Sequence, residues 1–173
     1  MMLSDIAIKL ENAGADCVLI SCNAAHLIAD SLIKKINTPF IHIAEAMSKE
    51  IVNLHLDKVA LIGTKFTMEN SFFMDRLTAV GIETIIPETT ERDFIHKTIL
   101  TELAKGNFKH DTKMEYVKII KSLAEKGAQA VILGCTEIGM LLNQSDTDIK
   151  LVDTTDVHIR AVVDFAISTE KIS

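Results

Sequence analysis

Two cysteines 113 positions apart, Cys22 and Cys135, sit in segments that repeat one another. Leu10 to Cys22 can be laid over Leu123 to Cys135 with Leu10/Leu123, Gly14/Gly127, Ala15/Ala128, Val18/Val131 and Cys22/Cys135 coinciding. Each copy reads as a helix, a glycine turn, a buried strand and then a cysteine at the strand's carboxyl end. A polar step follows each cysteine, Asn23-Ala24 in one copy and Thr136-Glu137 in the other. Open α/β sheets bind ligands outside the carboxyl ends of their strands. A helix N-terminus beside a thiol favours the thiolate. Two thiols facing each other across a cleft, one ionised and one protonated, can remove a proton from a carbon acid on one face and return it on the other. Such a pair racemises or epimerises its substrate without a cofactor.

Other chemistries use some of the same residues. Cys22 and His26 are four apart, and with Cys135 they supply three ligands of a metal site, but no fourth ligand presents itself and no CxxC pair is present. A single-nucleophile thiol hydrolase would pair one cysteine with His26 or His158, which leaves the second cysteine unexplained. Cys17 lies an odd number of residues before Cys22, on the opposite face of one strand, and reads as a core thiol. The sequence therefore predicts no metal.

The elements that must hold the two cysteines are legible around them. Cys17–Ile20, Phe40–Ile43, Val59–Ile62, Thr84–Ile86, Ala130–Leu133 and Ile149–Val152 are short β-branched runs, apolar on both faces. That is the pattern of strands covered by helices on both sides. Between them, Tyr116, Ile119, Ile120 and Leu123 recur at helical spacing, as do Ile95, Ile99 and Leu103. Lys105-Gly106-Asn107 is a helix stop, and Asp111-Thr112 starts the next helix. Regular alternation of this kind predicts an α/β fold with mostly parallel sheets.

Composition narrows the function. Of 173 residues 48% are hydrophobic, enough for a sizeable core, and 18 basic against 24 acidic side chains leave a net charge of −6. That balance argues against a nucleic-acid partner held by phosphate contacts. No apolar run reaches the length of a membrane span, and Met1 to Asp5 shows no basic-then-apolar leader. Three cysteines are an odd number, so they read as reduced thiols in a cytoplasmic protein.

Ser21-Cys22-Asn23-Ala24-Ala25-His26 resembles the Cys-Asn-Thr-x-His segment of the PLP-independent aspartate/glutamate racemase family, and Gly134-Cys135-Thr136-Glu137-Ile138 resembles that family's second signature. The likeness continues through Leu61 to Glu69 and Val152 to His158, where it is nearest the broad-specificity amino-acid racemase branch. The resemblance implies two similar lobes with an active site between them: a first lobe of residues 1–45 plus 149–173, and a second of 46–148. It implies Cys22 and Cys135 as the acid/base pair, no cofactor, and a small amino-acid substrate, acidic or of broad specificity. Asn23, Ala24, Thr64, Lys105, Thr136 and Glu137 would bind that substrate, Lys105 by meeting an acidic side chain. Ala24 stands where the family usually has Thr, which removes a hydroxyl but leaves the backbone N–H.

Family members start with a strand and Gly-rich turn that precede the first helix of this chain. The first lobe is therefore expected to be incomplete, to need a homodimer or larger assembly to cover its apolar face, and to catalyse weakly as it stands. Two rival functions remain: another chemistry of the wider superfamily, such as hydantoin racemisation or decarboxylation, and a non-catalytic fragment that binds a carboxylate or a partner chain.

Overall fold

The computed structural model describes residues 2–168; position 1 and the last five positions of the expected first-lobe segment, 169–173, lie outside the described residues. Its centre is a parallel sheet of four strands, β1 (Lys58–Ile62), β2 (Glu83–Ile85), β3 (Ala130–Leu133) and β4 (Lys150–Asp153), in the order β2-β1-β3-β4. The alternating sides of β1 and β3 feed two separate cores. Ala60, Ile62, Val131 and Leu133 face one core, and Val59, Leu61, Ala130 and Ile132 face the other.

Each core is closed by helices whose apolar stripes the sequence announces. On the first side are α6 (Thr89–Thr101), α7 (His110–Glu125) and the short α8 (Ile138–Leu141). Tyr116, Ile119, Ile120 and Leu123 of α7 are all buried, each burial contributing roughly 1.5–3 kcal/mol of transfer free energy. On the second side are α3 (Ile43–Asn53), α5 (Ser71–Thr78) and α9 (Thr154–Ile167), which contribute Met47, Ile51, Phe73, Leu77 and Val157. This is the α/β class with a parallel sheet flanked by helices.

The echo between the two cysteine segments is a structural one. α1 (Met2–Asn12) and α7 both lead into a glycine in the left-handed region, Gly14 at φ +87° and Gly127 at φ +92°. Each then enters extended backbone, with Val18 in a parallel bridge and Val131 in β3. The two copies differ in what pairs with them. Val131 is paired on both sides within the sheet, whereas Val18 bridges Phe40 alone. The expected strands at 17–20 and 40–43 are thus reduced to one bridge, and Ile43 already begins α3. A small core of Ala7, Val18, Leu32 and Ile36 covers one side of this segment. Cys17, expected in the core, is only half-buried.

The chain returns to the sheet beyond residue 149. Residues 150–153 pair with β3 in the register Ala130↔Lys150 to Leu133↔Asp153, so this strand forms one end of the four-stranded sheet. α9 then packs against α3. The reason is topological: α8 and a short 3₁₀ turn form a brief right-sized connection that returns the chain beside β3, where the edge hydrogen bonds of β3 are open.

Candidate active site

Both cysteines reach the carboxyl edge of the sheet by tight backbone turns. Gly134 follows the last residue of β3, and its N–H donates to Ile62 O at 2.7 Å. A Cβ at Gly134 would lie 3.0 Å from that oxygen and 2.9 Å from Leu61 Cδ1, so a side chain there would push Cys135 off the end of β1. On the other copy, Cys22 precedes a 3₁₀ turn, Ala24–Ile28, and is exposed.

The two thiols line a single cavity of about 350 Å³. Asn23, Ala24, Thr64, Thr136 and Glu137 share its lining. Thr64 is the N-cap of α4 (Lys65–Glu69), with its hydroxyl accepting from Thr67 N–H at 3.3 Å. Lys105 is the exception: it is exposed and outside the wall, because the turn that carries it, Leu103–Lys105, presents Ala104 to the cavity instead. Ile99, Leu100 and Ala104 form an apolar side that residue chemistry did not single out, since they read as ordinary helix-stripe positions. Ser21, Thr67 and Gly134 complete the wall.

At Cys135 the environment favours the protonated form, the thiol of the expected thiolate and thiol pair. Its Sγ donates to Glu137 Oε2 at 2.9 Å, and Thr136 Oγ1 donates to the same oxygen at 2.7 Å. Burial, then the Glu137 hydrogen bond and the Glu137 charge, push the Cys135 thiol up to about 12, with a further increment from Cys22. The same contacts, first the thiol and then the Thr136 hydroxyl, hold the Glu137 carboxyl below its usual range. The helix that follows has only four residues, too short a dipole to overcome a desolvated thiol beside a carboxylate. At rest, Cys135 is a protonated acid.

Three buried histidines back the Cys22 loop without facing its chemistry. The His26 ring lies 4.6 Å from that of His42 and 5.6 Å from that of His158, centroid to centroid. His26 Nδ1–H donates to Cys22 O at 2.9 Å, and Ile43 N–H donates to His26 Nε2 at 3.3 Å. Both ring nitrogens are thus occupied, which removes His26 from the metal and thiol-hydrolase readings considered for it. His158 Nε2–H donates to Ile41 O at 2.8 Å, tying α9 to the first segment. His42 caps α3, its Nδ1 accepting from Ala44 N–H at 3.1 Å, while its Nε2 is buried without a partner. Among the described residues no group of three or more His, Cys, Asp or Glu is placed to hold a metal ion.

Burial holds His26 near 4 and His42 near 3, against 6.5 for an unfolded histidine. His26, His158 and Arg76 lower His42 further by repulsion. Because the unfolded chain takes up these protons first, stability is fully present above about pH 6.5 and is lost as pH falls toward about 4. His42→Asn keeps a good α3 cap and removes one of the two groups. Its melting temperature should therefore fall less between pH 6.5 and pH 4 than that of the wild type. An unchanged acid slope would show that His42 is not responsible.

The sequence and fold can be compared with those of known proteins. Residues 2–162 match the model of the Asp/Glu/hydantoin racemase family. The chain belongs to that family. The broad-specificity amino-acid racemase RacX of Bacillus subtilis is 23% identical over 159 residues, which are 92% of this chain and 68% of RacX. A glutamate racemase of Fusobacterium nucleatum is 28% identical over 136 residues, 78% of this chain and 50% of that enzyme. This member of the racemase family thus spans about half to two-thirds of the length of those relatives. Among solved structures, an aspartate racemase homologue from Pyrococcus horikoshii superposes with a TM-score of 0.88 at 33% identity, covering 96% of this chain and 74% of that one. A Yersinia pestis protein assigned as an Asp/Glu racemase gives 0.92 at 38% identity, covering 96% and 73%. No helix among the described residues is long and apolar enough to cross a membrane.

Proposed function

We propose that this chain racemises a free amino acid by proton transfer between Cys22 and Cys135, with no cofactor. The observation that carries the reading is the convergence of both thiols, one from each copy of the repeated unit, on one cavity at the carboxyl edge of the sheet. In the forward step Cys22 thiolate removes the α-proton and becomes a thiol. Cys135 thiol then protonates the opposite face of the carbanion and becomes a thiolate. The reverse step exchanges their roles, so charge and protons balance over the cycle.

Glu137 has one carboxylate oxygen free of the Cys135 and Thr136 hydrogen bonds, and that oxygen suits the substrate's α-ammonium. Such pairing also offsets the charge that holds Cys135 protonated, which eases its turn as a base. Asn23 Oδ1 is buried without a partner and offers a second acceptor. The backbone N–H groups of Ala24 and Thr136, with the Thr64 hydroxyl, are the donors available to the α-carboxylate.

The charged side chain on the described wall is an anion, Glu137, and Lys105 lies off it. Both facts favour broad specificity over an exclusively acidic substrate, as does the likeness to RacX. A homodimer or larger assembly is the fitting state, since Met2, Leu3, Ile6 and Leu10 of α1 are exposed apolar residues.

Incubation with single L-amino acids in D₂O tests the reading. The expected result is D-enantiomer that carries deuterium at Cα, formed equally well with and without added PLP or a chelator. Other products without racemisation would assign a different superfamily chemistry. No turnover or exchange of any amino acid would overturn the catalytic reading in favour of a binding fragment.

A further inference from the structure

The segment that carries Cys22 and the strand that carries Cys135 are joined by one buried hydroxyl. Thr154, the first residue of α9, is fully buried. Its Oγ1 accepts from Asn23 Nδ2–H at 2.9 Å and donates to Leu133 O at 2.8 Å. Asn23 is the residue after Cys22, and Leu133 is the last residue of β3, two before Cys135. A hydroxyl has one proton to give and lone pairs to receive, and here the direction of each bond is forced. The Leu133 carbonyl can only accept and the Asn23 amide nitrogen can only donate.

The rest of the loop's anchoring points elsewhere. The Cys22 carbonyl is held by His26, and His158 holds Ile41, both within or behind the first segment. Among the described residues, the Asn23–Thr154 bond is the one hydrogen bond that links residues 21–24 to the sheet layer. A small-residue loop with a single buried tie takes its position from that tie, because the alternative leaves Asn23 Nδ2 and Leu133 O unsatisfied in the interior.

We propose that Thr154 is a positioning residue that sets the separation of Cys22 and Cys135, acting through Asn23 on one side and Leu133 on the other. It does not line the cavity itself and meets the wall only through Asn23. The proposal rests on the reading of the two thiols as a proton-transfer pair only for its kinetic consequence; the geometric consequence stands alone. Threonine at this position is required for its hydroxyl, so serine should replace it and valine, of the same shape, should not.

The test uses the full chain with Cys17→Ala, so that two thiols remain, and compares Thr154→Val with Thr154→Ser. Dibromobimane, whose fluorescence rises when both of its arms are alkylated, reads the thiol separation. A monofunctional alkylator reads the reactivity of each thiol by itself. For Thr154→Val we expect cross-linking to fall about tenfold while single alkylation stays within about twofold, and kcat for racemisation to fall about a hundredfold with KM within about threefold. Thr154→Ser should restore all of these to near the wild-type values. A folded Thr154→Val protein that cross-links like the wild type overturns the proposal, as does a serine variant that behaves like valine. Should the valine variant fail to fold, Asn23→Leu removes both donor and acceptor at nearly the same size and must show the same loss of cross-linking. A wild-type chain that cross-links normally but racemises nothing defeats the proposed function and leaves the positioning role to be decided by cross-linking.

Discussion

Cys22→Ser and Cys135→Ser should each lower racemisation by about a thousandfold or more, because each removes one of two positioned proton carriers. A serine hydroxyl is far too weak an acid to replace a thiol in either role. The two variants should differ in what survives. With Cys22 intact, Cys135→Ser should still exchange the α-proton of one enantiomer with D₂O, while Cys22→Ser should favour the other. The measurement is enantiomer-resolved deuterium incorporation beside net racemisation. Retention of full racemase activity in either variant would exclude the two-thiol mechanism, whatever the family.

Glu137→Gln should change Cys135 more than any other substitution that leaves the thiol in place. The carboxylate accepts the Cys135 proton at 2.9 Å, and its charge opposes a second negative charge beside it. Glutamine keeps an acceptor and removes the charge, so thiolate should form at lower pH. Each unit of lowering raises the thiolate fraction at neutral pH about tenfold, which iodoacetamide labelling of Cys135 across pH reports directly. Racemisation should fall about tenfold to a hundredfold in the same variant, since a more acidic thiol is a poorer proton partner in return and the substrate ammonium loses its counter-charge. Labelling with an unchanged pH profile would mean that burial alone holds Cys135 protonated. The alkaline limb of any pH–rate profile should move toward lower pH with the labelling curve.

Much of the fold could be read from local patterns. Ala130 to Leu133 is apolar at every position because both faces of β3 are covered, and the structure puts alternate residues into two different cores. Gly14 and Gly127 mark equal turns because each adopts a positive φ that an L side chain resists. The repeat built on those glycines pointed to Cys22 and Cys135 together, and both line one cavity.

Other features have no local signature. Cys17 to Ile20 and Phe40 to Ile43 have strand composition, yet a strand exists only with a neighbour, and these two offer each other a single bridge. The run at 149–152 reads as a strand in any sheet; only its register against β3 places it beside that strand. Lys105 has the right type and place in the chain to meet an acidic substrate, but the turn it belongs to aims Ala104 at the cavity.

By itself, then, the sequence determined the α/β class, the helix stripes, the glycine turns and the two cysteines, all of which follow from residue type and short-range periodicity. The tertiary structure alone decided the partner of each group. It placed Glu137 against the Cys135 thiol, so that of the expected thiolate and thiol it is Cys135 that is held protonated. It also brought Asn23 to Thr154 across 131 positions, a contact that neither residue's local pattern announces. Hydrogen bonds and proton affinities depend on distance, burial and neighbouring charge in space, and those are set by strand pairing and helix packing over the whole chain.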